Sequence, residues 1–235
     1  MGTLNSMFNS KYSKLLTVIL VVVIVAVIGL LGFMAYDVYR KYAIDEEAGN
    51  AASEFENQFA SMNTVGNEVL NVEVIDPNID LNTINTGNTT TGNTTNGNKV
   101  TYQGYEVIGT IEIPKTNVKC PVLEGPASND KIEVAVAVQY PLNATLNTEG
   151  NVVIVGHNYR NGTFFSDNKK LGNGDKIYIT DLNGSKVEYR VYNTFITEAN
   201  DNSIYNRDTD GKREITLYSC TDDLDGRLIV EARAD

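Results

Sequence analysis

The clearest feature of the hydropathy pattern is an unbroken apolar stretch near the N-terminus. Residues 15–36 contain no charged side chain, and most of them are Val, Ile, Leu or Ala. The stretch is longer than the roughly 20 residues that a helix needs to cross the hydrocarbon core of a bilayer. A cleaved signal peptide has a shorter apolar region, whereas here Tyr39 and Tyr42 follow the stretch like an interfacial belt. The pattern predicts an uncleaved transmembrane anchor at 15–36, preceded by a cytoplasmic N-terminus at 1–14.

The charges on the two sides of this stretch give its orientation only weakly. Lys11 and Lys14 precede it, and Arg40 and Lys41 follow it. The rule that positive charges remain inside therefore gives nearly a tie, which the free N-terminal amine tilts toward an inside N-terminus. We adopt that orientation mainly because the chemistry described below requires an extracytoplasmic domain.

Two polar segments follow the apolar stretch. Residues 37–81 are acidic and polar, with weak helical spacing at Phe55, Phe59 and Met62, and this composition predicts a stalk. In the segment 82–98, 16 of 17 residues are Asn, Thr or Gly. Such a tract cannot bury apolar surface, so we expect 82–99 to be a disordered tether that gives the following domain reach from the bilayer.

The remaining residues, 100–235, alternate in the manner of a β-protein. Short runs rich in β-branched and aromatic residues are separated by Gly, Asn and Asp turns, which is typical of a closed β-barrel or a sandwich. The predicted strands are 105–113, 118–123, 152–155, 176–180, 187–196, 214–220 and 228–232. A short helix is predicted at 164–171, and the pattern at 131–140 is ambiguous.

Composition narrows the function of this domain. The formal net charge of the chain is −11, and the domain itself carries 14 Lys and Arg against 20 Asp and Glu. A nucleic-acid partner is therefore not expected, because phosphate binding requires clustered positive charge. With two cysteines and one histidine, the chain can form at most one disulfide and offers no soft-metal site, and no cofactor is expected. Cys120 lies in an apolar run, where a buried structural thiol is the simplest interpretation.

Cys220 has different surroundings. It ends the predicted strand 214–220, and Arg227 opens the strand that follows a six-residue polar loop. If the two strands form an antiparallel hairpin, Cys220 and Arg227 oppose each other with their Cα atoms about 5 Å apart. A guanidinium at that place can donate hydrogen bonds to a developing oxyanion. His157 follows the predicted strand 152–155, so its imidazole is expected at the rim of the barrel, where it can assist a thiol nucleophile.

These motifs together resemble the sortases, the cysteine transpeptidases of Gram-positive cell surfaces. The run Thr-Leu-Tyr-Ser-Cys at 216–220 is similar to the family's Thr-Leu-x-Thr-Cys signature, with Ser219 where threonine is usual. The run Arg-Leu-Ile-Val at 227–230 and the pair Gly-His at 156–157 match two further motifs in the family's order. The run 109–115, Gly-Thr-Ile-Glu-Ile-Pro-Lys, resembles its opening strand.

The resemblance implies a mainly β fold, a sortase-type barrel of about eight strands with short helices, and a two-step acyl transfer. Cys220 would cleave the Thr–Gly bond of an LPXTG-like sorting signal through a thioester, with His157 as acid and base and Arg227 on the oxyanion. Ser219 and Thr216 are candidate substrate contacts. The acceptor would be the amine of a peptidoglycan precursor or, in pilus-building members, a pilin lysine.

Three alternatives remain at this stage. Asp76-Pro77-Asn78 lacks the aromatic residue of a pilus-type lid, so a wall-anchoring or specialised role is favoured over pilus building. L,D-transpeptidases and secreted cysteine peptidases also use Cys and His, but here the histidine lies far upstream of Cys220. A tethered, non-enzymatic β-barrel adhesin would carry an unreactive Cys220.

Overall fold

The computed structural model describes residues 3–68 and 99–234, with side chains for 14–40, 42–61 and 99–234. Two α-helices are present in this part of the chain, α1 (Thr3–Glu68) and α2 (Asn129–Val134). The nine strands are β1 (Thr101–Tyr102), β2 (Tyr105–Ile113), β3 (Val118–Leu123), β4 (Val136–Tyr140), β5 (Gly150–Val155), β6 (Lys176–Asp181), β7 (Lys186–Glu198), β8 (Arg213–Cys220) and β9 (Gly226–Arg233). The residues 76–78 and, apart from Lys99, the expected tether at 82–99 lie outside the described residues.

Eight of these strands form a closed barrel. Their order is β2-β3-β4-β5-β8-β9-β7-β6, and the pairing of β6 with β2 completes the ring, while β1 adds a short edge to β2. Neighbouring strands are antiparallel except for the parallel pairs β3–β4 and β5–β8. The prediction of a mainly β, closed barrel of about eight strands is confirmed.

The barrel closes because one face of each strand is apolar. Inward-facing side chains from all eight barrel strands form the main core, with Ile111, Val122, Ile154, Ile179 and Leu217 among its fully buried members. Because side chains alternate along a strand, the residues that lie between these inward-facing positions point to the outer face of the barrel.

The run 131–140, whose sequence pattern is ambiguous, contains both helix and strand. It begins within α2, whose N-terminus is capped by Ser128, and it ends as strand β4. Only Asn168–Lys170 of the helix predicted at 164–171 is helical, as one 3-10 turn. Phe165 is instead fully buried against Gly156, where an added Cβ would lie 2.7 Å from the Phe165 ring.

The N-terminal helix contributes to two compact units, residues 1–43 and 44–235. In the first unit, the apolar side chains of 15–36 are exposed, and this segment is long and apolar enough to cross a bilayer by length and composition. In the second unit, the face of α1 that carries Ala52, Phe55 and Phe59 is buried on the outside of the barrel. The domain boundaries drawn from the sequence stay a prediction, but residues 44–61 belong to the packed barrel unit.

Glu56 adds polar contacts to this helix–barrel interface. Its carboxylate accepts hydrogen bonds from the hydroxyls of Thr110 and Thr180 and from the Lys119 ammonium, at 2.9, 3.2 and 2.9 Å. Burial alone would raise the pKa of Glu56, but the hydrogen bonds from Lys119 and Thr110 and the charges of Lys119 and Lys186 outweigh it, so the pKa is lowered. The helix is therefore held by a charge as well as by its aromatic side chains.

Candidate active site

Cys220 and Arg227 oppose each other across the β8–β9 hairpin. They form the last pair of its antiparallel register, which runs from Glu214–Arg233 to Cys220–Arg227. Side chains that are directly paired in a sheet lie on the same face, here the outer face of the barrel. The hairpin geometry expected from the sequence is therefore present, and the half-buried thiol of Cys220 is not in a disulfide.

His157 reaches the same edge of the barrel from the neighbouring strand. Strands β5 and β8 run parallel with Val155 paired to Tyr218, and the Gly156 amide extends the ladder to the Tyr218 carbonyl at 3.1 Å. His157 and Cys220 each lie two residues beyond the Val155–Tyr218 pair. Because adjacent strands lie about 4.8 Å apart, the fold brings the imidazole and the thiol to the same level. Within the described residues no hydrogen bond joins the two side chains.

Asn158 connects the histidine turn to the cysteine strand. Its Nδ2 donates to the Cys220 carbonyl and to Oδ1 of Asp222, both at 2.9 Å. Asp222 also accepts a hydrogen bond from the Lys169 ammonium at 2.6 Å. Asn158 was not among the residues predicted from the sequence to form the site. Its only signal there was its position directly after the histidine.

Arg227 is oriented by Tyr218. The Nε of Arg227 donates to the Tyr218 hydroxyl at 2.8 Å, and the guanidinium carbon lies 5.8 Å from the centre of the Tyr218 ring. Its Nη1 donates to the carbonyls of Gly226 at 2.9 Å and Leu224 at 3.4 Å. Nη2 donates no hydrogen bond to the described residues. The guanidinium is thus fixed on one side and retains donors for a ligand on the other.

Burial sets the protonation of His157. It lowers the pKa of the imidazole below its ordinary value, and the negative charge of Glu133 only partly opposes this. The Tyr159 ring covers the imidazole, with ring centres 4.7 Å apart and planes inclined by 36°. The neutral imidazole is therefore the dominant form at pH 7, and the imidazolium is a minor one.

The second cysteine differs from Cys220 in its exposure. Cys120 is fully buried in the core, where burial raises the pKa of its thiol to about 12. A thiol of this kind carries almost no thiolate at neutral pH and is inaccessible to reagents. This placement agrees with the structural role expected for Cys120.

An open groove of about 810 Å³ lies beside Cys220. It lies between the ends of β7 and β9 and the β8–β9 loop, and it is predominantly acidic. Its charged lining residues are Lys169, Glu198, Asp222, Asp223 and Asp225. Asp223 accepts from Thr221 within the loop, and Asp222 from Asn158 and Lys169, so neither carboxylate bonds to His157 in this structure.

The two candidate substrate contacts, Thr216 and Ser219, are buried. Thr216 is 0% exposed, and its hydroxyl donates to Oδ1 of Asn151 at 2.9 Å. Ser219 is 2% exposed and faces the barrel interior beside Leu228. This geometry supports a packing role for both residues and gives neither a surface for a substrate. In the described part of the chain, no three His, Cys, Asp or Glu side chains are placed to hold a metal ion.

Comparison with known proteins identifies the family. The sequence model of the sortase domain matches residues 111–235, more than half of the chain. Sortase A of Bacillus anthracis is 35% identical over 116 residues, which are 49% of this chain and 52% of that protein. Sortase A of Listeria monocytogenes is 28% identical over 120 residues, 51% of each chain. The chain thus spans about half the length of the curated relatives it matches.

The alignments with solved structures also cover about half of this chain. A lid mutant of sortase A from Corynebacterium diphtheriae aligns with a TM-score of 0.49 and 28% identity, over 55% of this chain and 70% of that one. A sortase D5 transpeptidase from Clostridium perfringens aligns with a TM-score of 0.49 and 29% identity, over 55% and 79% of the two chains. On the match of the family's sequence model to residues 111–235, this chain belongs to the sortase family.

Proposed function

We propose that this chain is a membrane-anchored cysteine transpeptidase that cleaves an LPXTG-like sorting signal and transfers the acyl group to an amine of the cell wall. The observation that carries the proposal is the convergence of Cys220, His157 and Arg227 at one edge of the barrel. Each side chain comes from a different strand end, and no structural requirement of a barrel brings this set together.

The proposed reaction has two acyl-transfer steps. The Cys220 thiolate attacks the carbonyl carbon of the scissile Thr–Gly bond, and Arg227 donates hydrogen bonds to the oxyanion that forms. The C–N bond then breaks, and the leaving amine takes a proton from the His157 imidazolium, which leaves a thioester on Cys220. In the second step the acceptor amine attacks the thioester and gives a proton to His157, and the thiolate leaves.

The setting of His157 supports the use of a minor protonation state. Because burial lowers the pKa of His157, the imidazolium is present in only a small fraction of the molecules at neutral pH. In that fraction the general acid is in the form that the first step requires. Turnover is then limited by the size of this fraction as well as by the barrier to attack.

The proposed location is the cell membrane, with 15–36 as a single span and the barrel outside the cytoplasm. The exposed apolar segment of α1 supports an anchor, and sorting signals and peptidoglycan amines are accessible only on the outer side. A peptidoglycan precursor is the acceptor that we favour over a pilin lysine.

The experiment uses the full chain in detergent micelles with a fluorogenic LPXTG peptide, with and without an amine acceptor. Cys220→Ala should abolish turnover, and Arg227→Ala should lower kcat/KM by about 10²–10³ if the guanidinium acts on the oxyanion. The matched control is Cys120→Ala, which removes the buried thiol and should retain turnover in the folded fraction.

The outcomes separate the proposal from its alternatives. A product joined to the acceptor amine supports transpeptidation, whereas hydrolysis alone at saturating acceptor would indicate a cysteine peptidase. Normal turnover of Cys220→Ala would refute the thiol mechanism. No turnover by any variant, with binding of surface ligands unchanged in Cys220→Ala, would favour the adhesin.

A further inference from the structure

A buried ionic network lies on the same face of the barrel as the active site. Its centre is Arg207, in the loop 199–212 that joins β7 to β8. The guanidinium of Arg207 contacts the carboxylates of Glu214 at 2.9 Å and Glu231 at 3.2 Å. These two side chains are 1% and 7% exposed. Arg233 pairs with the second oxygen of Glu214.

Neutral partners add to the contacts of the terminal nitrogens of Arg207, while its buried Nε has no hydrogen-bond partner among the described residues. Its Nη1 donates to the Tyr192 hydroxyl at 2.8 Å, and its Nη2 donates to Asn151 Oδ1 and Thr216 Oγ1, both at 3.2 Å. The four terminal hydrogens of the guanidinium therefore point at acceptors on β5, β7, β8 and β9. A loop residue with contacts to four strands fixes the loop in one position on the barrel.

The same loop carries Tyr205, whose ring centre lies 6.0 Å from that of Tyr140. Asn151 Nδ2 donates to the carbonyls of Ile204 at 3.0 Å and Tyr205 at 3.5 Å, and the side chain of Ile204 is buried. Burial raises the pKa of Tyr205, the nearby Tyr218 raises it further, and the positive charge of Arg227 opposes both. Tyr205 thus lies within electrostatic reach of the tyrosine that orients Arg227.

The register of the sheet connects the network to the site. On the outer face, the pair Thr216–Glu231 belongs to the network, and the pair Cys220–Arg227 belongs to the site. Between them lies Tyr218, whose hydroxyl accepts from Arg227. Each step of two residues along a strand spans about 6.8 Å, so the network begins roughly two steps from the thiol.

We infer that Arg207 is a positioning residue of the active site: it fixes the loop 199–212 over the Thr216–Glu231 pair, directly beside Tyr218, which holds the Arg227 guanidinium. This inference rests on the proposed function, because it assigns Arg207 an effect on the step that Arg227 assists. Arg207 itself does not contact the substrate.

A positioning role of Arg207 and a purely structural role predict different effects when Arg227 is absent. If Arg207 acts by orienting the Arg227 guanidinium, its loss matters only while that guanidinium is present. If Arg207 serves stability alone, its loss lowers activity equally with and without Arg227. A double-mutant cycle between the two arginines measures this difference.

The variant must avoid leaving a buried charge without a partner. Arg207→Met alone strands Glu231, whose remaining partner among the described residues is the Asn193 amide at 2.9 Å, and such a loss is strongly destabilising. The double variant Arg207→Met/Glu231→Gln removes both charges and should recover most of the lost melting temperature. Arg190→Met is the matched control, because Arg190 is an exposed cation on β7 away from the site.

The test measures kcat and KM of the full chain in detergent with an LPXTG peptide and an amine acceptor. Activity is expressed per folded molecule, because folded chains react with iodoacetamide at Cys220 only and unfolded chains react at Cys120 as well. We expect Arg207→Met/Glu231→Gln to lower kcat by about tenfold at nearly constant KM, as for an interaction made in the transition state. In the Arg227→Ala background the same change should lower kcat by less than about twofold.

Each result bears on one hypothesis. An equal loss in both backgrounds, or no loss beyond that of Arg190→Met, would overturn the positioning role while leaving the proposed function intact. If the unaltered chain does not turn over the peptide, the proposed function fails first, and the role of Arg207 in catalysis fails with it.

Discussion

The packing of α1 on the barrel leads to a prediction about stability. Phe55 is 1% exposed, and its ring centre lies 6.4 Å from those of Phe59 and Tyr102. Truncating a buried phenylalanine to alanine costs about 3–5 kcal/mol, because apolar burial is lost and a cavity remains. For a domain of this size each kcal/mol shifts Tm by about 2–4 °C, so Phe55→Ala should lower Tm by about 6–20 °C.

The measurement is thermal unfolding of the full chain in detergent, followed by circular dichroism of the barrel. Glu54→Ala is the matched control, because Glu54 lies next to Phe55 on the exposed side of the same helix. Its effect should remain within about 0.5 kcal/mol. A fragment that begins at Lys99 should also melt below one that begins at Ile44. Equal Tm values for Phe55→Ala and Glu54→Ala would refute the claim that residues 44–61 are part of the barrel domain.

Three further predictions follow from single contacts. Tyr218→Phe removes the acceptor of the Arg227 Nε and should lower kcat by about three- to tenfold with KM nearly unchanged; an unchanged kcat would show that the guanidinium needs no such support. Tyr159→Ala exposes His157 and should raise its imidazole pKa toward the ordinary value in an NMR titration, where the chain's single histidine gives one signal; a further decrease would contradict the role of burial. Because the pKa of Glu56 is lowered in the folded state, its contribution to stability is present above the unfolded-state pKa and is lost as pH falls through the folded-state pKa. The stability of Glu56→Gln should therefore depend less on pH in the acid range than that of the unaltered chain, as measured by acid unfolding. An identical acid dependence of the two proteins would contradict this.

The strands and the reactive hairpin could be predicted because the information is local. Strand alternation fixes which residues face the core, and a six-residue loop between Cys220 and Arg227 leaves little freedom in their register. The position of His157 beside Cys220 was harder to predict, because it depends on the parallel pairing of β5 with β8, which the sequence does not specify.

Two features were not predicted from the sequence, because the residues that determine them are spread over distant parts of the chain. The buried face of residues 44–61 consists largely of alanine with two phenylalanines, amid acidic residues that suggested a solvated stalk. The contacts of Arg207 come from four different strands, and they produce no periodic pattern along the chain. Thr216, a candidate substrate contact from the sequence, also belongs to that network, because its outward-facing hydroxyl is covered by the loop 199–212.

The most direct test of the central claim is an intact-mass measurement on the full chain after brief incubation with an LPXTG peptide and no acceptor amine. We predict a mass increase equal to the acyl part of the cleaved peptide, located on Cys220, removed by hydroxylamine and absent from Cys220→Ala. An acyl adduct that persists in Cys220→Ala, or cleavage of the peptide by that variant at the rate of the unaltered chain, would contradict the assignment of this thiol as the nucleophile.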